Sequence, residues 1–359
     1  MKAATAVIYR SALTHNYKTI KSMSPKSHLM AVVKANGYGH GALEVASTLT
    51  HADYLGVARI DEAIALREAG VEAKILLLEG FVSEECVPSL LKYNLETVIH
   101  CHEQVMMLEK FNSATSIKIW LKLDTGMHRL GIRLDEADAI FERICNISWI
   151  EKPINVMTHF ACSDELNNPF TNDQIDRFDG FIQHKVVGQT SLAASGGILF
   201  WPQSHRHLNR AGIILYGISP VLQKPASDFG LSPVMQLESR LIAIRRHSQG
   251  ESVGYNATWV SPRDTVIGVV AIGYGDGYSR SIKNGTPVLI NGREVPLVGR
   301  VSMDMITIDL GPDALDKVGD KVVLWGQDLP IERIAHLNNL SPYELMTQLT
   351  SRVNLVYAD

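Results

Sequence analysis

Ala31-Val32-Val33-Lys34-Ala35-Asn36-Gly37-Tyr38-Gly39-His40-Gly41 runs from an apolar segment through a lysine into a glycine-rich turn. Two architectures compete for it. Gly37, Gly39 and Ala42 satisfy G-x-G-x-x-G/A, with Asp53 and Asp61 downstream, the dinucleotide pattern of an open doubly wound sheet. The same residues also suit the end of a barrel strand, the rim where barrel enzymes carry their chemistry. The lysine stands where a dinucleotide-binding strand would turn toward a pyrophosphate, which counts against the open sheet. The strand count that follows points the same way.

Apolar runs recur at residues 28–35, 53–58, 74–80, 95–101, 117–124, 154–161 and 190–195, and an eighth lies within 207–216. Helical patterns such as 61–69, 135–144 and 171–184 separate them. Strands alternating with helices imply right-handed βαβ units and a parallel sheet. About eight such units in some 200–250 residues predict an α/β fold beginning with a (β/α)8 TIM-type barrel. The eighth strand is ambiguous: 213–217 (IILYG) fits by composition, and the short 207–210 is the alternative. After about Gly230 the rhythm changes to short strands at 266–271, 287–290, 294–298, 305–310 and 321–325, ending in helical segments at 330–338 and 342–349. Asn291-Gly292 is a hairpin signal. The expected division is therefore a barrel over 1–230 and a mostly antiparallel β domain over 231–359.

The 359 residues carry a net charge of -4, which removes the broad basic field that non-specific nucleic-acid binding requires. No apolar run approaches the roughly 18 residues of a membrane span, and Met1–Arg10 breaks off before a secretory core forms. A cytoplasmic protein is expected. Cys86, Cys101, Cys145 and Cys162 stand singly, without the Cys-x-x-Cys pairing of zinc or redox sites. The pairs His100/His102 and His205/His207 lack a further ligand at metal spacing, so no metal is expected.

Four places carry candidate chemistry. Lys34, with an apolar strand behind it, suits Schiff-base or proton-transfer work; the plain alternative is a strand-end lysine reaching for water. Arg129, in Lys122-Leu123-Asp124-Thr125-Gly126-Met127-His128-Arg129, suits bidentate capture of a carboxylate or is a solvated loop arginine. His159, in Thr158-His159-Phe160-Ala161, is a catalyst or a hydrogen-bonded rim residue. Ser195-Gly196-Gly197 and Arg210-Ala211-Gly212-Ile213 follow the last two strands, where barrels commonly bind phosphate; that placement favours the shorter eighth strand. A rim lysine, a phosphate cradle and a carboxylate-binding arginine together suit a pyridoxal-phosphate enzyme acting on an amino acid.

In order along the chain, AVVKANGYGHG, LKLDTGMHRLG, THFA, GIILYG, SVGYNATW, GYGDGY and GRVSMDM resemble the bacterial alanine racemases. The resemblance implies that Lys34 carries pyridoxal 5′-phosphate in a Schiff-base linkage. It implies a second base, Tyr255, donated by the other subunit of a homodimer. Arg210 would face the pyridine nitrogen, with His159 supporting it. Tyr38, Ser195, Gly212, Ile213 and Tyr343 match the phosphate-binding set. Arg129 and the backbone of Met303, again from the partner, would hold the substrate carboxylate. Asp164, Tyr274, Arg280 and Arg300 match the substrate entryway, and Lys122 matches a lysine that is carbamylated in some relatives. Three positions depart from the pattern: Asn256 and Gly37 where glycine and alanine are common, and Ala211 where proline is common.

The resemblance implies a two-base racemase interconverting L- and D-alanine, either to supply D-alanine for peptidoglycan or to consume it. Competing readings are a broad-specificity amino-acid racemase and a barrel-type decarboxylase of basic amino acids. A non-enzymatic pyridoxal-phosphate carrier and a nicotinamide dehydrogenase are the readings from other classes.

Overall fold

The computed structural model describes residues 4–359. Eight parallel strands, His28–Val32, Tyr54–Val57, Lys74–Leu77, Glu96–Ile99, Ile119–Asp124, Asn155–Met157, Thr190–Ser191 and Leu208–Ala211, lie side by side. Leu208–Ala211 returns to pair with His28–Val32. The remaining seam is joined where the Arg210 N–H donates to the Ala193 carbonyl at 3.0 Å, giving a nearly closed barrel. All seven expected runs contain a strand. The eighth is the short one, Leu208–Ala211, and Ile213–Tyr216 is a 3-10 helix with every side chain buried. Apolar composition fails to discriminate there because a buried helical turn and a buried strand require the same residues.

Strands such as Tyr54–Val57 and Glu96–Ile99 are buried at every position, as expected where helices cover one face and barrel side chains fill the other. The covering helices are amphipathic for that reason. Leu134–Asn146 buries Ala137, Ile140, Phe141 and Ile144 along one face and carries Asp135 and Glu136 in its first turn, where acidic groups favour the helix dipole. Near the N-terminal strand ends the barrel is stoppered by polar side chains: Trp120 Nε1 and the Tyr54 hydroxyl both donate to Glu96, at 2.7 and 3.3 Å. The open end is opposite.

The second sheet is mostly antiparallel. Its centre is Met235–His247, which pairs with Thr265–Val270 and Lys321–Trp325. Thr5–Tyr9 also lies in this sheet, antiparallel to Met235–His247 and parallel to Asn354–Ala358. The expectation that the barrel begins at residue 1 is therefore corrected at its first strand. Thr5–Tyr9 alternates half-buried and buried side chains, the pattern of a strand with one covered face. No described helix is long and apolar enough to cross a membrane.

Candidate active site

At the C-terminal ends of the barrel strands lies a cavity of about 790 Å³. Lys34 opens onto it from a strained turn. Ala35, Asn36, Gly37 and Tyr38 all have left-handed φ, between 51° and 63°. For a non-glycine residue that conformation costs roughly 1–2 kcal/mol, so other contacts must hold it. The Glu62 carboxylate accepts the N–H groups of Ala35 (2.7 Å), Ala58 (2.8 Å) and Arg59 (3.1 Å). Asn36 Oδ1 accepts the Ala42 N–H at 3.0 Å. Below the turn, His40 Nδ1 donates to the Gly37 and Tyr38 carbonyls at 3.1 and 2.9 Å. Burial lowers this imidazole to about 4, so it stays neutral. Its ring lies 4.4 Å from that of Tyr216, which stacks on Tyr38 at 4.9 Å.

The glycines of this turn serve packing. A Cβ on Gly39 would stand 2.3 Å from the Met346 carbonyl, and one on Gly41 would stand 2.2 Å from the Tyr357 hydroxyl. The turn thus lies directly against C-terminal segments, which occupy the space a dinucleotide would need. The glycines at 273–277 behave alike: a Cβ on Gly273 would stand 2.4 Å from the Met303 carbonyl.

Cations dominate the cavity. Arg210, on the last barrel strand, is fully enclosed and donates to Ser191, to the Thr158 (2.7 Å) and Leu192 (3.1 Å) carbonyls, and to His159 Nδ1 (3.3 Å). Burial lowers its guanidinium to about 10, so it remains charged at neutral pH. Burial, then the charges of Arg210, Lys122, Arg129 and Lys34, drive His159 well below the usual histidine range; a neutral imidazole is the form that can accept from the arginine. Lys122 is buried, and desolvation followed by repulsion from Arg210, Arg129 and Lys34 lowers it to about 8. Arg129 lines the cavity from a loop shaped by Asp124, whose Oδ1 accepts the Gly126 and His128 N–H groups at 3.1 and 3.0 Å.

A hydroxyl and glycine cradle also lines the cavity. The Gly212 N–H donates to Ser195 Oγ at 3.2 Å. A Cβ on Gly212 would stand 2.9 Å from the Tyr38 hydroxyl, and one on Gly196 would stand 2.6 Å from Ser163 Oγ. Ile213, Asp164 and Tyr343 also line the cavity, Tyr343 entering from the C-terminal domain. Its ring lies 6.0 Å from Tyr38.

Tyr255, Tyr274, Arg280, Arg300 and Met303 are absent from the lining of this cavity. Of the four residues expected at the entryway, only Asp164 borders the cavity of its own chain. The other expected residues cluster on the β domain. Tyr274 N–H donates to the Ser302 carbonyl at 3.0 Å, and Gly275 N–H to that of Met303 at 2.8 Å. A Cβ on Gly254 would stand 3.5 Å from Arg300 N, so the turn bearing Tyr255 adjoins them. Tyr255 is 68% exposed and Met303 53%. Arg280 and Arg300 share a shallow surface hollow with Lys283. Asn256 adopts φ 59° and Gly37 φ 63°, so two of the departures are residue types that accept the left-handed conformation. Sequence reading missed Glu62, His40, Glu79 and Tyr216. His40 and Tyr216 stand inside the quoted blocks AVVKANGYGHG and GIILYG, and Glu79 inside the apolar run 74–80; Glu62 carried no such signal.

The model of the alanine racemase N-terminal domain matches residues 8–220, and that of the C-terminal domain matches 234–357. The chain belongs to the alanine racemase family. It is 55% identical to the alanine racemase of Edwardsiella ictaluri over 99% of both chains. It is equally identical to the biosynthetic alanine racemase of Salmonella typhimurium over 100% of both. The crystal structure of the biosynthetic alanine racemase from Pseudomonas aeruginosa superposes with a TM-score of 0.97 at 40% identity, covering both chains completely. That from Acinetobacter baumannii gives 0.94 at 34%, again over both whole chains. Membership of this family makes the chain an enzyme of the isomerase class, a racemase on a barrel-plus-β architecture.

Proposed function

We propose that this chain interconverts L- and D-alanine with pyridoxal 5′-phosphate, using Lys34 and the Tyr255 of a second copy as opposed proton-transfer groups. The observation that carries the reading is the cavity itself. Lys34 opens onto it beside the buried Lys122, Arg210 is fixed among these cations, and a hydroxyl–glycine cradle also lines it. The donor set suits the cofactor: Lys34 for its aldehyde, Arg210 for its ring nitrogen, and Tyr38, Ser195, Gly212, Ile213 and Tyr343 for its phosphate. Bound there, pyridoxal phosphate would supply the electron-withdrawing system that acidifies the substrate α-proton.

The chain's own groups do the rest. Arg210 keeps its proton, because even at about 10 it is charged at neutral pH, so it donates to a ring nitrogen without protonating it. Ser191 takes an Nη1 donor, and His159 with the Thr158 and Leu192 carbonyls engages Nη2, which fixes the guanidinium plane. Arg129 orients the substrate carboxylate, with Met303 backbone from the second copy. Racemisation requires proton removal on one face and delivery on the other, hence two groups. Lys34 supplies one. The exposure of Tyr255 and Met303, their clustering with Tyr274 and Arg300, and their absence from their own cavity support donation in trans within a homodimer. The relatives named as biosynthetic support supply of D-alanine for the cell wall, and work in the cytoplasm fits that role. A depressed Lys122, placed among three cations, suits carbamylation, which replaces a positive charge with a negative one.

Lys34→Ala is expected to abolish both the cofactor's protein-linked absorbance and racemisation. Tyr255→Phe should slow α-proton exchange with solvent for one enantiomer far more than for the other. Equal slowing for both would overturn the one-sided role. Release of CO2 from basic amino acids without alanine racemisation would favour the decarboxylase reading instead.

A further inference from the structure

Glu79 follows the third barrel strand, and its carboxylate Oε1 stands 3.8 Å from Lys34 Nζ. Both side chains line the cavity, at 49% and 37% exposure. Apart from Asp164, Glu79 is the one carboxylate among the described lining residues, against the cations Lys34, Lys122, Arg129 and Arg210. Its backbone is held: His100 Nε2 donates to the Glu79 carbonyl at 3.0 Å, and Gln104 Nε2 donates to the Phe81 carbonyl at 2.9 Å. Between them Gly80 lies so close to Gln104 that a Cβ would stand 2.3 Å from its Nε2. A turn fixed on both sides delivers this carboxylate to the lysine.

We propose that Glu79 is a positioning residue for Lys34, pairing with its ammonium whenever the amine is free of a covalent partner. The proposal rests on the reading of Lys34 as the cofactor-bearing lysine. The physical ground is charge balance. A free Lys34 ammonium faces Lys122, Arg129 and Arg210, with neutral His159 beside them, and Glu79 is the counter-charge within pairing distance. After Lys34 removes an α-proton, the proton resides on Nζ, and the carboxylate holds the resulting ammonium over the substrate rather than letting it swing toward solvent. No bond other than the C–H and N–H bonds of that transfer changes. The same pairing opposes attack on an aldehyde, since only the unprotonated amine is nucleophilic.

The test uses full-length protein freed of cofactor, mixed with saturating pyridoxal phosphate. The first-order appearance of the linked chromophore is followed across pH, and borohydride reduction with peptide mass analysis locates the adduct. Relative to native protein, Glu79→Gln should capture the cofactor on Lys34 roughly threefold to fivefold faster at pH 7, the size of a partly exposed ion pair. Its rate–pH curve should lie at lower pH. Salt should accelerate capture by the native protein relative to Glu79→Gln, because only the native protein has the pair to screen. Glu79→Asp, which keeps the charge at shorter reach, should fall between the two and provides the same comparison should Glu79→Gln fold poorly. An unchanged pH curve and salt response in both variants, or capture slowed equally at every pH, overturns the proposal. Absence of any adduct on Lys34, in native protein and variants alike, overturns the cofactor reading and the proposal together.

Discussion

Lys122 shows how far a side chain's neighbours alter its chemistry. Folded, it titrates at about 8 instead of 10.5, first through burial and then through Arg210, Arg129 and Lys34. The unfolded chain therefore binds more protons between those two values, and stability rises with pH across that window. Below about 8 the whole penalty applies, on the order of 3 kcal/mol. Lys122→Met in CO2-free buffer should raise the melting temperature by a few degrees at pH 7 and hardly at all near pH 10.5, as differential scanning calorimetry can establish. Equal stabilisation at both pH values would exclude charge burial as the cause. Lys34, Arg129, His159 and Arg210 were legible in the sequence because each follows or ends an apolar run, and barrel geometry sends such positions to one rim. Glu62 was not. Its contact with Ala35 spans 27 residues, and a glutamate in the first turn of a helix ordinarily needs no explanation beyond the dipole.

The left-handed turn at residues 35–38 is the element on which the site depends, and its glycines can be tested against one another. Gly39 and Gly70 share nearly the same φ, 81° and 84°, but a Cβ meets Met346 at the first and open space at the second. Gly70→Ala should cost about 1 kcal/mol for conformation alone. Gly39→Ala adds a backbone collision and should cost about 2 kcal/mol or more beyond that, measured as the shift in urea midpoint. Similar costs would mean the C-terminal helix gives way freely. Strand prediction failed where signals were ambiguous or distant. Met235, Leu237 and Leu241 alternate with Gln236, Glu238 and Arg240, a half-buried pattern on which a strand could have been read, although none was expected before residue 266. By contrast, Thr5–Tyr9 and Asn354–Ala358 pair across almost the whole chain, and five mostly apolar residues do not announce which distant partner they will take.

In the proposed reading, assembly decides whether the enzyme works. If Tyr255 and Met303 act in trans, each homodimer of Lys34→Ala or of Tyr255→Phe lacks a group at both sites, while a hybrid keeps one complete site. Unfolding and refolding an equimolar mixture should restore roughly a quarter of native activity, since half the dimers are hybrids with one working site of two. No recovery beyond the sum of the separate mutants would place both groups in the same chain's site. Continued full activity at dilutions where only monomer remains would do the same.

Local pattern alone carried the barrel, the later β region and the strand-end positions of Lys34, Arg129, His159 and Arg210. These follow from apolar periodicity and from the rule that parallel strands all point one way. Tertiary structure alone decided the return of Thr5–Tyr9 to the second sheet and the use of Gly39 and Gly41 to admit C-terminal segments, and it settled the eighth strand between the two readings left open. It also set the charge environment in which Glu79 and Lys122 face Lys34. These depend on contacts between segments far apart in sequence, whose energies are absent from any local stretch until the chain has closed on itself.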